Sequence, residues 1–468
     1  MHHAKNILIV AVNARYSHAS HSARCLMAAL GEFSGRATML EFDLDVQPFQ
    51  LAGVILEHAP AGVAFSVYLW NAALVGGTLK ILRAIDPALP ILLGGPEIVA
   101  DDARWHGFET VVGEGENKFA AWAADLLNRE DSTGKPQQGS EVKSVNKNSN
   151  PLPCSSFPVD HSLFQKRSTY DFYTSSDLAQ RTVYVESSRG CPFSCAYCTS
   201  CNTGLRAFPL EPLFREFEKL IRRGARAFRF LDRSFNADET HACRVLDWFL
   251  QRDPGRFPIH LEIIPRAIGP ALRERFRAFP PHTLHIEAGV QTLNHEVALA
   301  IGRRIPVETI LGTLAFLKND ARVLLHADLI FGLPDENFES FARGFDRVAR
   351  DIAPPELQVN LLKLLPGTPL RRDAQKLGLV FNPEPPYELL SSDVMVFSEL
   401  TRLQRFARCW ELVHNRARFP DACETMLAAP SPFAAFDALA DFIHTREGRL
   451  HALHPQKWRE HIDAFLLK

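Results

Sequence analysis

TVYVESSRGCPFSCAYCTSC, residues 182–201, joins a short apolar run to a cluster of thiols. TVYVESS (182–188) reads as a strand. Directly after it, Cys191, Cys195 and Cys198 stand at CxxxCxxC spacing in a loop with Gly190 and Pro192. Three thiolates this close in sequence can converge on one metal centre, and soft sulfur ligands suit iron–sulfur or zinc. Structural zinc usually takes four ligands, which here would recruit Cys201, whereas three leave one coordination position for a substrate or cofactor. An unassigned cysteine such as Cys201 is by default a small hydrophobe.

Working outward toward the carboxyl terminus, apolar runs recur at RAFRFLD, PIHLEII, TLHIEAG, LLHADLI and ELQVNLL, between residues 226 and 362. Each gap leaves room for a helix, as EPLFREFEKLIRRG and VETILGTLAFLKN illustrate. Six βα units predict a partial barrel rather than a closed eight-fold one. In such barrels the strand carboxyl ends form the active-site face, which gathers Ser187, Asp232, Glu262, Glu287 and Asp328 near one mouth. After about residue 370 the strand signal fades, and residues 371–468 read as an α-helical domain.

Toward the amino terminus, REDSTGKPQQGSEVKSVNKNSNP (129–151) has almost no large apolar side chain and reads as a linker. Before it, NILIVAV, ATMLEFD, AGVAFS, PILLGG and TVVGE read as strands separated by helices. Buried runs alternating with helices predict a parallel, doubly wound sheet over residues 1–128. Ligands of such sheets lie outside the strand carboxyl ends, where small residues admit a large planar group. Ser66, the pair Gly94 and Gly95, and the GEGE element containing Gly113 and Glu114 hold those places. Gly113 and Gly115 alone are a weak nucleotide signal, far from the first βα turn, so a dinucleotide-dependent dehydrogenase is disfavoured.

Composition narrows the classes. A chain of 468 residues holds two or three domains, and a net charge of -2 gives no electrostatic reason to bind nucleic acid or anionic membranes. The start, MHHAKNILIV, is too short an apolar run for a signal peptide, and no stretch reaches the roughly 18 apolar residues of a membrane span. A cytoplasmic protein is expected. There, nine cysteines are not a disulfide framework.

The cysteine motif, with Tyr197 just before its third thiol and a barrel strand before the loop, resembles the radical S-adenosylmethionine (SAM) superfamily. The resemblance continues through FLDRSFNAD, EAGVQTLN, IGRRI, ADLIFGLPDEN and LLPGTPL. It implies that Cys191, Cys195 and Cys198 hold a 4Fe-4S cluster whose fourth iron takes the amino and carboxyl groups of SAM. It further implies that electron transfer cleaves SAM to a 5'-deoxyadenosyl radical. By the same likeness Glu287 and Gln291 lie near the SAM ribose or amino group and Arg303 near its carboxylate. Asp232 and Phe235 then follow the second-strand loop, and Glu262 is a further candidate. GLPDEN and LLPGTP resemble loops that close the mouth. For Asp232 and Asp328 the plain alternative is helix capping, and for Arg303 a surface ion pair.

The amino-terminal domain resembles cobalamin-binding domains, in which a Ser and a Gly pair line the tunnel of the nucleotide tail. The DxHxxG motif of many such domains is replaced by NARYSHASHS, where aligning His18 puts Tyr16 and His21 at the outer positions. Imidazole is a competent cobalt ligand, so His18 is a candidate, with a plain loop histidine as the alternative. The combined fold class is α/β. It comprises a Rossmann- or flavodoxin-like sheet, a central partial (β/α)6 TIM-type barrel over residues 152–370, and a helical domain resembling an uncharacterised subgroup. The activity this resemblance implies is cobalamin-dependent methylation of an unreactive carbon, with a reductant such as flavodoxin or ferredoxin as partner. Cys201 is then a candidate radical or methyl-carrying thiol. The alternatives are a radical SAM rearrangement or oxidation without methyl transfer, and a zinc-stabilised interaction protein. No motif identifies the substrate.

Overall fold

The computed structural model describes residues 6–100, 102–132 and 167–467. It divides into two compact units, one from residues up to 185 with 209–228, the other from 186–208 with residues 229 onward. Of the expected linker, residues 129–132 instead continue the helix Glu116–Ser132, and 133–151 lie outside the described residues.

In the first unit, β1 (Ile7–Asn13), β2 (Ala37–Asp43), β3 (Gly62–Ser66), β4 (Ile91–Gly94) and β5 (Glu109–Val111) form a parallel sheet in the order β2-β1-β3-β4-β5. With helices on both faces of the sheet, the two-residue period of a strand explains why β1 is apolar from Ile7 to Val12. Leu8, Val10 and Val12 point to one face and pack with Leu51, Ile55, Val75 and Leu79 of helices Pro48–Glu57 and Ala72–Ile85. Ile7, Ile9 and Ala11 point to the other and meet Ala23, Met27, Phe119 and Leu127 of helices His21–Ala29 and Glu116–Ser132. Each fully buried Ile or Leu contributes about 2 kcal/mol. The helix His21–Ala29 starts where Ser20 Oγ accepts from Ala23 N at 3.3 Å. It buries Arg24 completely, between Glu41 at 2.9 Å and Asp177 at 2.8 Å. Desolvation works against the Arg24 charge, yet the Glu41 hydrogen bond and surrounding anions hold its pKa above the ordinary value. β6 (Val183–Val185) and the helix Leu210–Arg222 also group with this unit.

The second unit opens with two short antiparallel strands, β7 (Ser188–Arg189) and β8 (Arg206–Ala207). Its main sheet comprises β9 (Phe228–Phe230), β10 (Ile259–Ile263), β11 (Leu284–Gln291), β12 (Leu324–Phe331) and β13 (Glu356–Leu361), in the order β13-β12-β11-β10-β9. With β6, strands stand at all six positions expected for the partial barrel. Along β10 and β11 burial alternates strictly, so one face is apolar and the other carries His260, Glu262, His285, Glu287 and Gln291.

The edge strand β13 is covered by the carboxyl-terminal helices. Asn415 Oδ1 accepts from Leu357 N at 3.1 Å, its Nδ2 donates to Leu357 O at 3.1 Å, and Trp410 Nε1 donates to the same carbonyl at 2.7 Å. One asparagine amide thus stands in for a neighbouring strand, which satisfies backbone groups an edge leaves open. The carboxyl-terminal region is helical as expected, over Phe397–Trp410, Pro420–Leu427, Pro432–Glu447 and Pro455–Leu466. It also contains a small antiparallel pair, β14 (Val380–Phe381) with β15 (Leu389–Ser391).

Candidate functional site

The cysteine loop is fixed at both ends and in its middle. Pairing of Arg189 with Arg206 across β7 and β8 closes its base. Just inside, Gly190 has φ +85°, and a Cβ there would stand 1.9 Å from Gly204 O, so only glycine fits. Cys191 N donates to Thr203 Oγ1 at 3.0 Å, and Asn202 N to Phe193 O at 3.0 Å. In the centre of the motif Ala196 N donates to Ile301 O and Ala196 O accepts from Leu370 N, each at 2.9 Å. The segments IGRRI and LLPGTPL therefore grip the loop from two sides. Gly302 is forced by the same contact, since a Cβ there would lie 2.3 Å from Ser194 O.

Arg303 follows Gly302 and turns inward, leaving only 7 % of its surface exposed. Its Nη1 lies 3.5 Å from both Cys195 Sγ and Tyr197 Oη, and its Nη2 donates to Gly289 O. Among the described residues no carboxylate pairs with it, so it is not the surface ion pair of the plain alternative, and a buried positive charge faces a cysteine sulfur. Burial raises the pKa of the Tyr197 phenol well above its ordinary value. Gln291 ends β11 with φ +71° and a buried Oε1 that has no hydrogen-bond partner among the described residues. The donor set fits an anionic sulfur-ligated cluster, which would answer the guanidinium, and a ligand with hydrogen-bond donors, which would answer Gln291. Ser234 Oγ lies 3.7 Å from Cys191 Sγ. Cys201 occupies the turn after Cys198, its N donating to Cys198 O at 3.2 Å; burial, then the Cys195 and Cys191 charges, raise its thiol pKa.

Asp232 is 1 % exposed and accepts from Ser187 N at 2.9 Å, Ser187 Oγ at 2.6 Å and Ser188 Oγ at 2.6 Å. It caps no helix; it clamps the segment that leads into the cysteine loop. Burial pushes it up to about 6, against the pull of those hydrogen bonds. Phe235 is buried behind it, donating its N–H to Glu262 O at 2.8 Å.

Glu287 and Asp328 were expected at the mouth, and the structure places them mid-strand instead. Strand period puts them on the polar face one layer or more below the ends of β11 and β12. Glu287 Oε2 lies 3.1 Å from His260 Nε2 and 3.5 Å from Arg229 Nη2. Burial raises its pKa, but the His260 hydrogen bond and nearby cations hold it below the ordinary value. Burial and then the Glu287 charge push Glu262 up to about 7. Burial, and then the neighbouring His260 and His326, lower His285 to about 4. These three histidines were not singled out in the sequence, because they lie on three different strands and share no local motif.

In the first unit, Ser66, Gly94 and Val111 stand side by side at the carboxyl ends of β3, β4 and β5. Ser66 is buried, with Ser22 Oγ 3.4 Å from its hydroxyl and Asn71 Nδ2 3.1 Å from its carbonyl. Gly95 has φ +110°, and a Cβ there would meet Val67 O at 2.4 Å. Gly94 differs, since its added Cβ would find nothing nearer than 3.9 Å, and around Gly113 nothing lies within 4 Å. Glu114 is exposed. His18 is half-buried, its Nδ1 2.9 Å from Tyr184 Oη and its backbone bridged to Thr182. The open glycines at the strand ends fit a large flat ligand such as a corrinoid.

Comparison with known proteins agrees with both places. The model of the B12 binding domain matches residues 7–123, that of the Radical SAM superfamily residues 185–348, and one described as protein of unknown function (DUF4080) residues 375–466. The structure is similar to the radical S-adenosylmethionine methyltransferase TsrM from Kitasatospora setae with cobalamin and a [4Fe-4S] cluster bound. The identity is 18%, over 82% of this chain and 78% of that one, with a TM-score of 0.62. It is also similar to the cobalamin-dependent S-adenosylmethionine radical enzyme OxsB with aqua-cobalamin and S-adenosylmethionine bound. There the identity is 12%, over 99% of this chain and 80% of that one, with a TM-score of 0.64. Curated protein sequences give no match. No described helix is long and apolar enough to cross a membrane.

Proposed function

We propose that the chain is a cobalamin-dependent radical SAM enzyme that methylates an unactivated carbon. The observation that carries this reading is the thiol loop beside a buried Arg303 that has no carboxylate partner. Cys191, Cys195 and Cys198 would hold a 4Fe-4S cluster, and Ser66, Gly94, Gly95, Gly113, Glu114 and His18 would border cobalamin. When bound, the cluster supplies one electron for cleavage of SAM, and cobalamin supplies a transferable methyl group.

The protein's own part is placement and electrostatics. Arg303 sets a fixed positive charge beside Cys195, which stabilises ionised sulfur in a water-poor site. Gln291 offers an acceptor to a donor on the bound ligand. Asp232 holds the entrance of the loop through two serine hydroxyls. Cys201 lies outside the triad and is the thiol available for a radical or methyl-carrying role. A one-electron donor of the flavodoxin or ferredoxin class would reduce the site.

The test is anaerobic reconstitution with iron, sulfide and hydroxocobalamin, then dithionite and SAM. 5'-Deoxyadenosine, S-adenosylhomocysteine and bound corrinoid are quantified by liquid chromatography. Both products with retained corrinoid are expected, and Cys195→Ala abolishes deoxyadenosine. Deoxyadenosine without S-adenosylhomocysteine would favour rearrangement or oxidation, and stoichiometric zinc in place of iron would sink the reading.

A further inference from the structure

We propose that His285, His326 and Glu356 form a second metal site, on the polar face of the main sheet, for one divalent cation of the zinc class. The three side chains come from adjacent strands β11, β12 and β13. His326 stands directly beside Glu356 in register, and His285 lies two residues earlier in register, opposite Leu324. One donor atom from each lies within 4.8 Å of the others. His326 Nδ1 is 3.8 Å from Glu356 Oε2, and the His285 and His326 rings are 6.1 Å apart between centroids.

The chemistry of the set matches that cation. Two imidazoles and one carboxylate are a recurrent zinc triad that leaves a fourth position open. Bonds of about 2.1 Å at tetrahedral angles put ligand atoms roughly 3.4 Å apart, so the pair at 3.8 Å needs to close only slightly. Behind the triad, His326 Nε2 lies 3.2 Å from Asp328 Oδ1. A carboxylate at the far nitrogen of an imidazole is the usual outer support of a metal-bound histidine. His260, by contrast, is committed to Glu287 at 3.1 Å.

This site is separate from the thiol loop. Arg303 reaches β11 at Gly289, four residues beyond His285, which is roughly 13 Å along a strand. A cation here would tie the edge strand β13, at its first residue, to β12 beside it and to β11 beyond. Without a cation the same atoms form only an ion-pair network in which His326 carries the charge.

Cobalt(II) titration of the full chain with Cys191, Cys195 and Cys198 all changed to Ala separates the two. We expect one equivalent bound with visible bands of nitrogen and oxygen ligation, and no sulfur charge-transfer band. His285→Ala and Glu356→Gln should weaken it at least about tenfold, His260→Ala should leave it unchanged, and Asp328→Asn should weaken it about tenfold. Glu356 is 43% exposed at its side chain, so its amide variant keeps the fold testable. In the wild-type chain with its cluster assembled, one zinc per chain should survive dialysis in addition to the iron. No cobalt uptake by the chain with Cys191, Cys195 and Cys198 changed to Ala, or uptake unchanged by both His285→Ala and Glu356→Gln, would overturn the site whatever the fate of the cluster.

Discussion

The cysteine loop and the carboxyl ends of β3 and β4 are both marked by glycine, yet the glycines answer to different forces. Gly190 and Gly302 are compelled, because a Cβ at either would enter a backbone oxygen of the protein itself, at 1.9 and 2.3 Å. Gly94 is compelled by no contact and no unusual φ, whereas Gly113 has open space where a side chain would stand but a φ of +82° that favours glycine. A small cluster needs ligands held to a fraction of an ångström, and the loop is closed at its base and hydrogen-bonded from two sides. A large flat cofactor needs room, so small residues remain where the protein has no steric use for them. Gly95 belongs to the first kind although it sits in the second place.

The largest expected effect comes from breaking the compelled class. Gly190→Ala must displace Gly204 or open the β7–β8 closure, and strain at positive φ adds to the clash. Iron bound after reconstitution should fall below a tenth of wild type, with deoxyadenosine lost in proportion. Full iron retention would show that the loop relaxes and that its packing does not set the cluster. Next in size is a paired test at the sheet end. Gly95→Ala should destabilise the first unit by about 4 kcal/mol, read as a lower melting transition, since Val67 O stands at 2.4 Å. Gly94→Ala should leave that transition within about 1 kcal/mol while reducing corrinoid retention at least about tenfold. Equal corrinoid retention by Gly94→Ala and wild type would remove the argument that its openness is for a ligand.

What the sequence made legible follows the same division. The thiols were readable because their spacing is local, and ATMLEFD is a strand over those same residues because a short apolar run is likewise a local signal. Arg303 was singled out, but its contact with Cys195 spans 108 residues and could not be read from either segment. Gly302 lies within IGRRI, and nothing local shows that Ser194 O stands against it. His285 and His326 are each one polar residue in an apolar run, and only strand register brings them together. Asn415 capping Leu357 and the short β14–β15 pair carry no periodic signal at all.

Asp232 sharpens the comparison through pH. Its carboxyl ordinarily titrates near 3.8 and is pushed up to about 6 in the folded chain. Below pH 4 it is protonated in both states. Between about 4 and 6 the folded chain holds a proton that the unfolded chain has lost, so stability declines as pH rises and the decline is complete above 6. Its full size is about 3 kcal/mol. Asp232→Asn cannot titrate, so the stability difference between wild type and variant should shift by about that amount from pH 4 to pH 7, in favour of the variant. Chemical denaturation of the cluster-free chain measures it. Parallel curves would mean that Ser187 and Ser188 stabilise the charge far more than burial opposes it.

The smallest effect tests whether the open end also contains one fixed ligand. Tyr184 Oη at 2.9 Å from His18 Nδ1 is the kind of contact that orients an imidazole whose other nitrogen binds a metal. If His18 is the lower ligand of cobalt, His18→Ala should shift the visible spectrum of bound corrinoid toward that of the unligated form. Tyr184→Phe should keep the spectrum and cost about 1 kcal/mol of stability, the usual value of one hydrogen bond. A spectrum unchanged in His18→Ala would leave His18 as an anchor of its loop to Thr182. The strand ends of the first unit would then offer a corrinoid the open space at Gly94 without a protein ligand.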